Sequence, residues 1–167
     1  QMTISHLFGP TLGATQFVGL IEVGGINIID MPAEDVLRLN GPGTARNGGV
    51  AAAPGLELGL QNGIETNPFP TDFAWGYKVV AKLDYSNVLA GMNMSTRVVF
   101  SHDVDGITPD PLFLFVEDRK SVSLGLSFDY QNTWKGGINY NSFFGGVGTT
   151  NQMEDRDYVS FSISYSI

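Results

Sequence analysis

The sequence contains no cysteine, which excludes disulfide cross-links and thiolate metal sites together. It is also short of charge. Only 16% of its 167 residues are Asp, Glu, Lys or Arg, against about 25% in typical soluble domains. The charge that is present leans acidic, with 9 basic against 17 acidic residues and a formal net charge of -8. Neutralising phosphates takes a basic surplus, so this balance argues against a nucleic-acid partner. No stretch approaches the roughly 18 consecutive apolar residues that a membrane helix needs. Nor does a basic segment followed by an apolar one open the chain, as in a secretion signal. Gln1 in place of Met suggests a processed or truncated start.

Set against these absences are 21 Gly, 11 Phe, 6 Tyr and 2 Trp, a composition suited to strands, turns and interfacial aromatics. The length alone suggests one domain. Mean hydropathy is +0.03, a value compatible with a membrane barrel because each of its strands gives half its residues to the lumen.

Periodicity carries the strongest signal. In Tyr158–Ile167, Val159, Phe161, Ile163, Tyr165 and Ile167 fall on one side of an extended chain, and Ser160, Ser162, Ser164 and Ser166 on the other. Side chains alternate faces with period two, so this is a strand with one apolar and one wet face. The same alternation places Trp75, Tyr77, Val79, Ala81, Leu83 and Tyr85 opposite Lys78, Lys82 and Asp84. It places Met94, Thr96, Val98 and Phe100 opposite Asn93, Ser95 and Arg97, and Val122 to Tyr130 opposite Ser121 to Asp129. Met2–Phe8, Phe17–Ile29 and the segment from Trp134 to Phe144 complete about seven strands. Three segments lose periodicity: a long loop over 30–70 and shorter ones over 103–117 and 145–155, rich in Gly, Pro, Asn and Asp.

Connections therefore alternate between short and long, as in outer-membrane barrels with short periplasmic turns and long outer loops. Aromatics sort in the same way. Phe8, Phe17, Tyr85, Tyr130, Trp134 and Tyr165 reach the short-turn end of the apolar face, and Trp75, Tyr77, Phe100 and Phe144 the long-loop end. Two such belts match the aromatic girdles at membrane interfaces. The expected fold is all-β, an antiparallel transmembrane β-barrel built as a meander. Bacterial single-chain barrels use an even strand number, so seven strands point to the C-terminal segment of a larger barrel. The alternative is a soluble β-sandwich or lipocalin-like binding protein whose aromatics face a core or ligand.

Several stretches resemble one family: Gly13-Ala14-Thr15-Gln16-Phe17 leading to Gly19–Gly24, Leu37–Thr44, Trp75-Gly76-Tyr77 with Ala81–Tyr85, His102–Gly106, Gly125–Asn132 and Asp155–Val159. In this order they are similar to the C-terminal third of domain-of-unknown-function family 1302 (DUF1302), a group of proteobacterial outer-membrane proteins. The resemblance implies a bacterial outer-membrane location and the company of outer-membrane lipid and the barrel-assembly machinery. It also implies a periplasmic or lipoprotein partner and an inner-membrane exporter of the resistance-nodulation-division type. Its members resemble barrels that handle hydrophobic compounds, and no settled activity comes with them. They are longer than this chain and usually end in Phe; this one ends in Ile167, which leaves Tyr165 as the terminal aromatic.

The function expected from these readings is passive passage of small or hydrophobic solutes, without enzymatic chemistry or a cofactor. Glu22, Lys78, Lys82, Asp84, Arg97, Asp103, Asp129 and Lys135 share the polar face and are the candidate pore lining. Against this stands a purely structural role, in which they pair across neighbouring strands and solvate the interior. Ser101-His102-Asp103 has triad residue types, but consecutive strand positions point to opposite faces, so the three cannot act on one another. A lipid hydrolase centred on His102 would need a Ser from a neighbouring strand. Asp103, Asp105 and Asp110 suggest a loose cation site, although the calcium-loop register and its closing Glu are missing. Asn40-Gly41-Pro42-Gly43 lacks the Lys-Ser/Thr and helix of a phosphate loop and reads as turn chemistry.

Overall fold

The computed structural model describes residues 1–37, 39, 69–109, 112, 114–146 and 153–166. Seven strands form the regular structure of these residues: β1 (Met2–Phe8), β2 (Gln16–Asn27), β3 (Phe73–Leu89), β4 (Met92–Asp105), β5 (Arg119–Tyr130), β6 (Trp134–Gly145) and β7 (Tyr158–Tyr165). Each pairs antiparallel with the next, giving one meander sheet in the order β1-β2-β3-β4-β5-β6-β7 with β1 and β7 at its edges. The sheet is not closed on itself.

The short connections lie at one end and owe their tightness to left-handed residues. Leu12 (φ 54) and Gly13 (φ 77) form the centre of the β1–β2 hairpin, Ala90 (φ 50) and Gly91 (φ 87) that of β3–β4. Two consecutive positive φ values are the type I′ geometry, whose twist matches that of the flanking strands. Gln131 (φ 53) and Asn132 (φ 58) turn β5 into β6, and the Asn132 amide donates to Asp129 Oδ1 at 2.9 Å. Long connections occupy the opposite end. Residues 38 and 40–68 of the β2–β3 loop lie outside the described residues.

Two boundaries differ from the sequence reading. β3 runs on to Leu89 instead of stopping near Tyr85, because Asn87 adopts φ 53 in a register shift between Tyr85 and Leu89. Its amide is satisfied by Asn93 Oδ1 at 3.1 Å, and its own side chain accepts from the Gly91 amide at 2.9 Å. At the other end β4 continues through Asp105, where aperiodic loop was expected. Gly76 pairs with Asp103 and Trp75 with Asp105, so Val104 is the extra residue of a bulge, and a bulge breaks the period-two pattern.

Register keeps every strand in phase. One continuous row reads Phe8, Phe17, Leu83, Thr96, Leu126, Ile138, Phe161, and the next Gly19, Ala81, Val98, Leu124, Tyr140, Val159. These rows belong to one face, and among the described residues no second layer covers it: Phe161 is 85% exposed, Ile163 68% and Ile21 50%. The fully buried side chains sit elsewhere. Ile107, Thr108 and Val116 are at 0–1% exposure, all within the β4–β5 connection.

Candidate functional site

The opposite face collects the charge. Glu22 on β2, Lys78, Lys82 and Asp84 on β3, Arg97 and Asp103 on β4, Arg119 and Asp129 on β5 and Lys135 on β6 share it by register. Within the strands only Asp105 and Lys120 fall on the apolar side, both at the long-loop rim. All eight residues singled out from the sequence as pore lining thus lie on one surface. Between them run hydroxyls and amides, among them Ser95, Ser123, Ser127, Asn139, Ser160, Ser162 and Ser164.

Most of these ions have partners. Lys82 Nζ lies 2.8 Å from Asp84 Oδ1, and Ser95 donates to the same carboxylate. Lys135 Nζ lies 3.3 Å from Asp129 Oδ2. Glu22 and Lys78 stand directly opposite one another across β2 and β3, and Thr3 donates to Glu22 Oε2 at 3.5 Å. Exposed pairs of this kind contribute about 0–1 kcal/mol each, so they tune the field of the face more than they hold the fold. Arg97 faces Lys82 across the strand gap, cation to cation. Among the described residues it makes no ion pair.

At the long-loop end the polar face is roofed by the β4–β5 connection, which sequence periodicity left undetermined. Asp103 is its anchor: Oδ2 accepts from Arg119 Nε at 2.7 Å and from the Val116 amide at 3.1 Å. Arg119 also donates from Nη2 to the Leu114 carbonyl at 3.0 Å. The buried Thr108 hydroxyl accepts from the Leu114 and Phe115 amides at 3.0 and 3.1 Å and faces the Phe115 carbonyl at 3.2 Å. Thr71 Oγ1 accepts from the Ile107 amide at 2.9 Å. Buried polar groups are met with partners, and here those partners fix the path of the loop. The path tucks inward. The Phe115 ring comes to 3.7 Å from where a Cβ on Gly24 would stand, and Gly24 belongs to the polar face of β2.

Arg119, Phe115 and Phe143 are among the members of this surface that the sequence reading missed, as are Leu20, Val80 and Val99. Phe143 could have been found: Phe143-Phe144 are consecutive strand residues, so one aromatic must face the wet side. That residue is Phe143, paired with Ser121 and stacked on Tyr158 with ring centroids 6.3 Å apart. Arg119 and Phe115 lie where no alternation announces direction.

The ten aromatics assigned to belts share the apolar face. Phe8 stacks on Phe17 at 4.8 Å and Trp134 meets Tyr165 at 4.7 Å at the short-turn end. At the other end Tyr77 lies 6.1 Å from Phe100 and 5.6 Å from His102. Trp134 and Phe144 are ten residues apart on β6, about 33 Å along the strand at ~3.3 Å per residue. A tilt of about 40° reduces this to about 25 Å, the height of the apolar band of an outer-membrane barrel.

Among the described residues, no serine joins His102 in a hydrolytic arrangement. Its cross-strand neighbours on the apolar face are Tyr77 and Lys120. Ser101 points to the other side, its hydroxyl 2.6 Å from that of Ser121. His102 Nε2 lies 3.6 Å from Asp118 Oδ1, too far for a hydrogen bond. Asp118 is engaged by Lys120, whose hydrogen bond is the main influence holding its carboxyl below the ordinary carboxylate range. Of the suggested cation site, only Asp103 and Asp105 lie among the described residues, and these two do not converge. Asp103 is taken by Arg119, the bulge separates it from Asp105, and Asp110 lies outside the described residues. Among the described residues no group of three acidic or imidazole side chains could hold a metal ion.

The family model described as "Protein of unknown function (DUF1302)" matches residues 1–167, the whole chain. No curated protein and no solved structure gives a significant match. With the match running over every strand, loop and turn described above, the chain belongs to DUF1302.

Proposed function

We propose that this sheet is part of the wall of a β-barrel in the bacterial outer membrane, with its polar face lining a passage for small or hydrophobic solutes that move by diffusion. One observation carries the reading: an apolar surface crosses all seven strands without a charged side chain between its two aromatic ends, and none of the described residues covers it. Six strand spacings of ~4.8 Å by ~25 Å give a footprint of about 700 Å². Soluble monomers rarely expose a contiguous apolar patch beyond about 300–600 Å². Lipid tails satisfy that surface without a second protein layer. Strands can cross a bilayer because antiparallel pairing satisfies their backbone groups.

Passage then needs no covalent step. The paired ions and hydroxyls offer hydrogen bonds to water and solute, and the preference among solutes follows from the field of residues such as Arg97 and the Asp103–Arg119 pair. Outer-membrane lipid and the barrel-assembly machinery are the partners this location supplies. The test is cell fractionation followed by detergent extraction and vesicle reconstitution. Expected are recovery in the outer-membrane fraction, heat-dependent gel migration and efflux of a small sugar from the vesicles. A monomer soluble without detergent would overturn the reading in favour of a sandwich or lipocalin-like binder.

A further inference from the structure

We infer that the inward-folded β4–β5 loop and the polar face beneath it form a binding niche for an uncharged amphiphile with a flat apolar body and a hydroxyl or carbonyl head. This deepens the barrel reading and rests on it. The space between loop and sheet is about 560 Å³, within the range of small-molecule sites. Its lining is of two kinds. Leu114 and Phe115 from the loop and Phe143 from β6 present apolar surface, and Lys78, Ser101 and Ser121 present polar atoms.

By register Leu7, Val18, Leu20, Ile26, Val80 and Val99 also lie on this face among its ions, hydroxyls and amides, and at the niche Leu114, Phe115 and Phe143 gather with Ile26. Leu114 is 52% exposed there, on a loop whose course is fixed by the Thr108 and Asp103 hydrogen bonds. Apolar groups held over a wet surface by such bonds are preorganised, which lowers the ordering cost of taking up a ligand. The polar side limits the head group. Asp103 and Arg119 neutralise one another at 2.7 Å, Lys120 is engaged by Asp118, and Lys78 has Glu22 as its cross-strand neighbour, so each side-chain cation of the lining has a carboxylate beside it. The Ser101 and Ser121 hydroxyls, bonded to one another at 2.6 Å, retain acceptor lone pairs and one donor. An uncharged hydroxyl or carbonyl fits that inventory, and the apolar part of the lining, Phe115 and Phe143 included, offers surface to a planar ring.

The chain has no native cysteine, so single reporters can be placed. Ser121→Cys in the niche, Leu114→Cys on its wall and Ser160→Cys on the far polar face are reconstituted in vesicles and labelled with a water-soluble maleimide. Naphthol is the probe, with naphthalene sulfonate and naphthylmethylammonium as charged counterparts. At a naphthol concentration about ten times its Kd, labelling of Ser121→Cys and Leu114→Cys should slow about tenfold by mass action, while Ser160→Cys is unchanged. Adding Phe115→Ala should remove most of the Ser121→Cys protection. Equal slowing at Ser160→Cys, no slowing at either niche reporter, or stronger protection by a charged probe overturns the niche. Heat-dependent migration of the same samples reports the barrel separately: intact migration without protection rejects the niche alone, and failure to insert rejects both.

Discussion

Leu124 is the position at which the lipid-facing reading is most exposed to refutation. It lies near the middle of β5, between Val98 and Tyr140 in the apolar rows, and is 44% exposed. Four residues separate it from Lys120 and six from Tyr130. At ~3.3 Å per residue and a tilt near 40°, it stands about 10 Å below one rim and 15 Å from the other. An arginine at that depth costs about 2–4 kcal/mol, falling to about 0–1 near an interface. Leu124→Arg should therefore lower the folding equilibrium constant in vesicles about 30- to 700-fold, at about 1.4 kcal/mol per tenfold. Ser123→Arg, one residue away on the wet side, should stay within about 0.5 kcal/mol of wild type. Tyr130→Arg at the rim should fall between them, as the native Lys120 at the opposite rim suggests. Urea titration of vesicle-inserted protein, followed by the fluorescence of Trp75 and Trp134, measures all three. A Leu124→Arg chain as stable as wild type, or a Ser123→Arg chain that is the worst of the set, would refute the assignment of faces.

Gly106→Ala should loosen the roof while sparing the sheet. Gly106 has φ +79, and a Cβ there would run into the Phe73 carbonyl oxygen, so left-handed strain of about 1–3 kcal/mol plus a backbone clash is expected. Faster amide exchange at Ile107 with strand amides unchanged is the signature, and unchanged exchange would count against the loop path. Thr108→Val removes the hydroxyl that receives two amides; a local loss of about 1–3 kcal/mol is expected, read as faster exchange at Leu114 and Phe115. Asp157 gives the pH test. It accepts from the Phe143 amide and the Tyr140 hydroxyl, both at 2.9 Å, and the Phe143 amide is the largest influence lowering its pKa from the ordinary 3.8. A lowered folded-state pKa means stability present above the unfolded value and lost as pH falls through the folded one. Wild type should thus exceed Asp157→Asn in urea midpoint above about pH 4, with the gap closing below it; a gap independent of pH would contradict this.

The strands were legible wherever one residue in two met a different medium. β7 shows this best, because four serines interleave with Val159, Phe161, Ile163 and Tyr165. The ionic face of β3 followed from Lys78, Lys82 and Asp84 alone. What stayed hidden breaks that period. The bulge at Val104 shifts parity by one, and Asn87 extends β3 through a conformation that depends on the Asn93 side chain. The inward loop is held by Asp103, Thr108 and Thr71, residues from three separate segments whose meeting no local pattern encodes. The edge role of Asp157 was hidden for the same reason: β7 begins opposite Asn141, so the Phe143 amide beyond it finds its acceptor in a side chain.

The two flanks of the wet face differ in kind. Fixed ions crowd β2 to β4, from Glu22 to Asp103, whereas β6 and β7 present amides and hydroxyls above the single Asp129–Lys135 pair. If this face lines a passage, as proposed, a dipolar molecule moving along it would meet monopoles on one bank and rotatable dipoles on the other. It would be turned crosswise as it advanced, and added salt, which screens the charges of the first bank, would relax that alignment.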